Sequence, residues 1–311
     1  MKLGVAFGWH SLTWEELRDL VRHAESLGFD TAYVDGDVSM LGSRREVDVL
    51  DGWSVQLALL AATTRIRIAS IRLVHHWNAA RLAQATATAE RIFPGRSHLF
   101  ASIGERPEDA RFGLPTLSPG DRVEWLDESL DAVRALWRGE DVTRKGRFVS
   151  LDRARVRPTP PGGALRIEIG ARRTRLLGVV ARHADVWNIN LPPVASRVAR
   201  ASAALARACE GAGRDPARIE RRMLVFARVQ ARPDPDAALG EFRRLNPWFA
   251  DIPDAEVAPA LAVGDAGACR ARLAESTLPL GLDLPILDLT GADAAATRVT
   301  LDAFPQGNFV D

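Results

Sequence analysis

The stretch Ile167-Glu168-Ile169-Gly170-Ala171-Arg172-Arg173-Thr174-Arg175-Leu176 carries the strongest chemical signal in this 311-residue sequence. It reads as a strand, a turn of small residues and the start of a helix. Backbone N–H groups at a helix N-terminus, the Thr174 hydroxyl and the adjacent guanidinium groups of Arg172 and Arg173 together favour a phosphate. The plainer reading is a Gly-Ala turn followed by surface arginines, and the residues alone leave both open. Glu105 follows Gly104 at the end of a predicted strand, where its carboxylate would do general acid–base work or touch a cofactor. A solvated loop glutamate fits the same position. Asp35-Gly36-Asp37 is either a metal pair or a turn; no third ligand stands at a recognisable spacing, so no metal is expected. His10, after the first predicted strand, is placed to carry a proton, though a structural histidine fits equally. His75 and His76 point to opposite sides of a strand or diverge by about 100° on a helix, so at most one faces a site easily. His23, His98 and His183 fall inside predicted elements and read as structural.

The elements that must position these groups alternate between short apolar runs and helical patterns, the arrangement of parallel strands with crossover helices. Predicted strands cover residues 2–7, 30–35, 66–73, 97–103, 165–170, 185–190, 222–230 and 283–289. Eight is the number of a (β/α)8 barrel, which spans about 250 residues or more as one domain, so residues 1–311 are read as a single barrel. In such a barrel the chemistry sits where strands end. Thr13 and Glu16 form a capping box between Leu12 and Leu17, and Gly28 closes that helix. Ser118 caps a second helix with Pro119 in its first turn. Insertions are expected at about 104–118, at 139–164 as a hairpin around Arg147-Phe148-Val149-Ser150-Leu151, and at 246–264, where Pro247, Pro253 and Pro259 disfavour regular structure.

Forty-one basic against forty acidic residues leave a formal charge of +1, with no electrostatic footprint for nucleic acid or an anionic membrane. Apolar residues at 47% and charged residues at 26% suit a folded globular chain. Cys209 and Cys269 stand apart, with no disulfide framework, which fits a reducing cytoplasm; no apolar run is long enough to cross a membrane. No Ser/His/Asp order, nucleophile elbow, P-loop or dinucleotide-binding glycine pattern occurs, which argues against hydrolases and nicotinamide dehydrogenases.

Several motifs together resemble the luciferase-like monooxygenase superfamily (LLM class), whose members use flavin or deazaflavin in a TIM barrel. They run from Thr13-Trp14-Glu15-Glu16-Leu17 through Ala24 to Asp30, then Leu59 to Ile68, Ala83-Gln84-Ala85-Thr86-Ala87-Thr88, Pro94-Gly95-Arg96, and Ala181 to Asn188. The resemblance implies that Gly170, Ala171, Arg172 and Arg173 bind the cofactor phosphate, with Asn190 on the neighbouring loop. It implies that Asp37 and Gly104 lie near the cofactor. It also implies a bulge with a non-prolyl cis peptide at Ser70-Ile71 behind the cofactor ring. Trp9 and Trp77 would wall the substrate pocket, unless they are plain core residues. The helix at 84–88 and the Gly104-Glu105 pair look more like the branch using coenzyme F420 than the branch using FMN and oxygen. Where sugar-phosphate dehydrogenases of the family carry a histidine, this chain has Asp37, so the resemblance implies that His10, Glu105 or water supplies the proton instead.

The resemblance thus implies a cytoplasmic oxidoreductase, homodimeric like many relatives, in which reduced F420 passes a hydride to an unsaturated small molecule and a separate reductase supplies the reduced cofactor. Two alternatives are an FMN-dependent monooxygenase on the same barrel and a flavin-binding barrel without catalysis.

Overall fold

Thr13 starts the first helix through reciprocal bonds: the Glu16 N–H donates to Thr13 Oγ1 at 3.2 Å and the Thr13 N–H to Glu16 Oε2 at 2.8 Å. Leu17, Leu20, Val21 and Ala24 then bury one face, and Gly28 ends the helix with φ +87°, a backbone conformation that glycine adopts without strain. The computed structural model describes residues 1–8, 12–36, 49–104, 107–307 and 309.

In chain order the strands are β1 (Gly4–Phe7), β2 (Thr31–Val34), β3 (Arg67–Leu73), β4 (Ser97–Ser102), β5 (Val142–Lys145), β6 (Ser150–Ala154), β7 (Ile167–Ala171), β8 (Val186–Ile189), β9 (Glu220–Val229), β10 (Ala262–Gly264) and β11 (Leu284–Asp288). The helices are α1 (Trp14–Ser26), α2 (Gly52–Ala62), α3 (Ala79–Ile92), α4 (Pro119–Trp137), α5 (Thr174–His183), α6 (Ala195–Gly211), α7 (Pro235–Leu245), α8 (Asp254–Val257), α9 (Ala266–Thr277) and α10 (Ala294–Asp302). Strands β1, β2, β3, β4, β7, β8, β9 and β11 pair in parallel in that order, and β11 pairs back to β1, so the sheet closes into a (β/α)8 barrel. Each of these strands falls within two residues of its predicted span.

Strand alternation divides the side chains between two layers. Ala6, Tyr33, Ala69, Phe100 and Ile286 cluster inside the barrel, joined by Ile71 and Leu224. The opposite faces pack against the helices in the main apolar core, which includes Leu17, Leu59, Ile68, Leu126 and Trp187. Ser118 Oγ accepts the Asp121 N–H at 3.1 Å and so caps α4 as expected.

The expected hairpin forms from β5 and β6 and lies against α4, where Glu128 accepts the N–H groups of Arg147, Phe148 and Val149 at 3.0, 3.0 and 2.8 Å. The 246–264 segment is more regular than its prolines suggest. It contains a 3-10 turn (Pro247–Phe249) and α8, then ends in β10, which pairs with the end of β9. Proline is tolerated in a first helical turn, which is where Pro247 sits.

Candidate active site at the barrel mouth

The strands deliver their C-terminal ends to one cavity of about 440 Å³, within the range of small-molecule sites. Phe7, Val34, Asp35, Ile71, Leu73, Phe100, Ser102, Gly170, Ala171, Asn190 and Asp288 line it, with Pro119 and Gly120 from the start of α4 and Trp248 from the 246–264 segment.

A polar network sits below, among the inward side chains. Glu168, fully buried, accepts Tyr33 Oη at 3.0 Å and the Asn188 amide at 2.6 Å, and lies 2.9 Å from His98 Nε2. The Arg222 guanidinium reaches Tyr33 Oη at 2.6 Å, Glu168 at 3.4 Å and Glu220 at 2.6 Å. Burial alone raises a carboxyl pKa, but here His98, the Arg222 charge and the Asn188 amide outweigh it and hold Glu168 below the usual range. Burial and the Glu168 charge push the Tyr33 hydroxyl well above its ordinary value. Glu168 is therefore a fixed anion and Tyr33 a neutral donor.

Asp288 is the opposite case. It ends β11, lines the cavity and is 7% exposed. Burial pushes its carboxyl above the ordinary range, opposed only in part by the Thr290 N–H, which donates to it at 3.0 Å, and by the Arg228 charge. Arg228 pins the turn that carries it, donating to the Asp288 carbonyl at 2.9 Å and the Thr290 carbonyl at 2.5 Å, with Glu241 as counter-ion at 2.7 Å. A carboxyl whose proton is held more tightly by burial is suited to donate it to a reacting group.

At the other end of the cavity, Gly170 packs closely on Phe100: a Cβ there would lie 3.3 Å from the Phe100 ring. Helix α5 starts at Thr174 without a side-chain cap, so its first N–H groups remain available to an anion. Arg173 and Arg175 line the cavity beside it, and the Arg173 charge also helps hold the Asp251 carboxyl below its ordinary range. Arg172 also lines the cavity, but its guanidinium is engaged. Its guanidinium pairs with Asp251 at 3.0 Å, donates to the Trp248 carbonyl at 2.6 Å and lies over the Phe249 ring at 5.5 Å. It anchors the 246–264 segment, leaving Arg173 and Arg175 as the lining cations with no side-chain hydrogen bond to a carboxylate among the described residues. Trp248 Nε1 is also buried without a hydrogen-bond partner, an orphaned donor in the cavity wall. Open amides, the guanidinium groups of Arg173 and Arg175 and an unpaired indole N–H beside apolar walls fit an anionic tail carrying a flat polar ring.

Several predicted site residues fall elsewhere. Ile71 lines the cavity but Ser70 does not; alternation turns Ser70 toward the helix layer, where its Oγ donates to the Asp35 carbonyl at 3.0 Å and accepts Arg72 at 2.7 Å. The expected cis peptide at Ser70-Ile71 is also absent: the only cis bond among the described residues is Arg157-Pro158. Unbroken pairing of Ser70 with Leu99 and of Ile71 with Phe100 leaves no bulge there to hold a cis bond, which costs about 3–4 kcal/mol. Trp77 is not in this cavity. The chain leaves β3 through a 3-10 turn (Val74–His76), which carries Trp77 away to pack edge-to-face on Trp53 at 5.8 Å. Gly104 and Asn190 line the cavity as expected. Trp9, His10, Asp37 and Glu105 lie outside the described residues.

The sequence reading missed Glu168, Tyr33, Arg222 and Asp288. The available signal was a charged residue in mid-strand, Glu168 between Ile167 and Ile169, and an acidic residue closing the last predicted strand.

Comparison with known proteins adds the family. A model described as luciferase-like monooxygenase matches residues 1–263. The fold is that of an F420-dependent secondary alcohol dehydrogenase in complex with an F420-acetone adduct, with TM-score 0.81 and 20% identity over 99% of this chain and 100% of that one. A monooxygenase from Streptomyces bottropensis superposes with TM-score 0.77 at 20% identity, covering 99% and 98% of the two chains. Among curated relatives, a phthiodiolone/phenolphthiodiolone dimycocerosates ketoreductase of Mycobacterium tuberculosis is 34% identical over 145 residues, 46% of this chain. The chain spans 37% of that relative's length and 64% of other curated relatives. No helix among the described residues is long and apolar enough to cross a membrane.

Proposed function

The chain belongs to the luciferase-like monooxygenase family, and on that premise we propose that it is an oxidoreductase that uses reduced coenzyme F420 to reduce an unsaturated small molecule at the barrel mouth. The observation that carries the reading is one cavity with a cationic end at Arg173 and Arg175 and a buried carboxyl at Asp288.

When bound, the deazaflavin supplies a two-electron hydride carrier that reacts poorly with oxygen. The rest falls to this chain. Arg173, Arg175 and the first N–H groups of α5 hold the anionic tail by charge-assisted hydrogen bonds. Ile71, Leu73 and Phe100 give an apolar wall for a flat ring, and Trp248 Nε1 offers a donor to its polar edge. A carbonyl or conjugated C=C that gains a hydride at one atom needs a proton at the other, and Asp288 holds that proton at its carboxyl oxygen. Glu168 and Arg222 are fully buried and keep β2, β7, β8 and β9 in register, while their partners Tyr33 and Asn188 form part of the cavity floor. A separate reductase regenerates the reduced cofactor.

The ketoreductase relative supports the direction of reduction and the alcohol dehydrogenase structure supports the cofactor class. The test is anaerobic single turnover: the protein, reduced F420 and a panel of ketones and enones, followed at the absorbance of oxidised F420. Substrate-dependent oxidation is expected. Oxygen-dependent turnover with reduced FMN, and none with reduced F420, overturns the assignment in favour of a monooxygenase.

A further inference from the structure

A second cluster of ionisable side chains stands apart from the cavity just described. His75 and His76 occupy the 3-10 turn after β3, and Asp109 a 3-10 turn (Pro107–Phe112). His75 Nε2 lies 2.7 Å and His76 Nε2 3.6 Å from Asp109 Oδ2, with the two imidazole rings 4.4 Å apart and roughly perpendicular. One donor atom from each of the three side chains falls within 4.8 Å of the others. Adjacent histidines diverge on a strand or helix, yet here a carboxylate placed between them draws both to one point.

We propose that His75, His76 and Asp109 form a binding site for a divalent transition metal, with Zn2+ as the best-matched ion. The three side chains are 2%, 8% and 6% exposed, so the ligands are held by packing rather than free in solvent. Two polar atoms in the cluster, His75 Nδ1 and Asp109 Oδ1, are buried with no hydrogen-bond partner. A bare hydrogen-bonded pair leaves that carboxylate oxygen unsatisfied, whereas a dication beside it does not. Two neutral imidazoles and one carboxylate supply two nitrogens and one oxygen with net charge −1, a borderline set that suits Zn2+ and disfavours Ca2+ or Mg2+. Three protein ligands leave a fourth position for water. A second cavity of about 400 Å³, lined by His75, His76, Trp77, Trp125 and Phe148, gives that water and the ion a way in. The site lies behind the active-site wall: a Cβ on Gly104 would come within 3.0 Å of His75 Cε1, and Gly104 and Leu73 both line the main cavity. The ion would tie the turn carrying Asp109 to the end of β3.

The test uses the intact protein, stripped with chelator and titrated with Co2+, whose absorption between about 500 and 650 nm is intense only in a low-coordinate site. One saturable equivalent per chain is expected, displaced by Zn2+, together with a higher Tm in Zn2+. His76→Gln and Asp109→Asn are each expected to weaken binding at least about tenfold. Circular dichroism confirms that each variant is folded; if Asp109→Asn is not, His76→Gln decides alone. Absence of a saturable band in the wild-type chain, or a band unchanged in the folded variant, overturns the site. No flavin or deazaflavin enters these measurements, so their outcome is independent of the redox assignment.

Discussion

The Asn188 side-chain amide donates to Glu168 Oε1 at 2.6 Å across the β7–β8 pairing, tying the strand that leads into α5 to its neighbour. The other carboxylate oxygen takes Tyr33 from β2 and faces His98 from β4, so one anion draws four strands together.

Glu168→Leu is therefore expected to destabilise the fold by about 3–5 kcal/mol, the usual cost of removing one partner from a buried ionic cluster. The sign of its pH dependence follows from the lowered carboxyl pKa. The contribution is complete above the unfolded value of about 4.5 and fades as pH falls through the lower folded value. Urea unfolding followed from pH 5 down through pH 3 should show wild-type stability falling more steeply than that of the variant, with little difference in slope between pH 7 and pH 5.

Asp288 has the reverse linkage. Its folded pKa is raised, so the folded state holds the proton more tightly and ionisation costs stability once pH exceeds the ordinary carboxyl value. Asp288→Asn is expected to raise Tm at pH 8 and leave it nearly unchanged at pH 3, while lowering kcat by about 10²–10⁴-fold. Stability gained together with activity lost separates a strained functional carboxyl from a structural one. A kcat that stays within threefold of wild type, roughly 0.7 kcal/mol, removes Asp288 from the chemistry.

Arg173→Ala and Arg175→Ala should each weaken cofactor binding by about 10–100-fold, the worth of a charge-assisted hydrogen bond of about 1.5–3 kcal/mol. Arg172→Ala should change it by less than about fivefold, because that guanidinium is committed to Asp251 and Trp248. Its effect should appear instead as faster proteolysis within 246–264. Equal losses for all three arginines would contradict this division.

Gly36→Ala tests the close approach of β2 and β3. A Cβ at Gly36 would lie 1.8 Å from the Ile71 carbonyl oxygen, which no rotamer change relieves, and a loss of about 3 kcal/mol or more is expected. Thermal unfolding measures it directly.

The barrel was legible in the sequence because parallel strands buried on both faces read as apolar runs, and α1 because Thr13 and Glu16 specify its start. The inward side chains were less so. Tyr33, His98, Glu168 and Arg222 come from four strands, and each alone reads as an ordinary strand residue; only the closed barrel brings them to one point. Asp288 is the last residue of β11, and its role depends on burial that no local pattern encodes. Alternation along β3 did carry the information that Ser70 and Ile71 face opposite layers. Arg172 looked free because its partner Asp251 lies 79 residues downstream.

The most direct measurement is a side-by-side fluorescence titration of the purified chain with coenzyme F420 and with FMN in the same buffer. The cavity described here calls for saturable F420 binding at micromolar Kd or tighter, about −8 kcal/mol, weakened in Arg173→Ala and Arg175→Ala, with FMN at least about tenfold weaker. Tighter binding of FMN contradicts the deazaflavin assignment, and binding of neither contradicts a cofactor site at the start of α5.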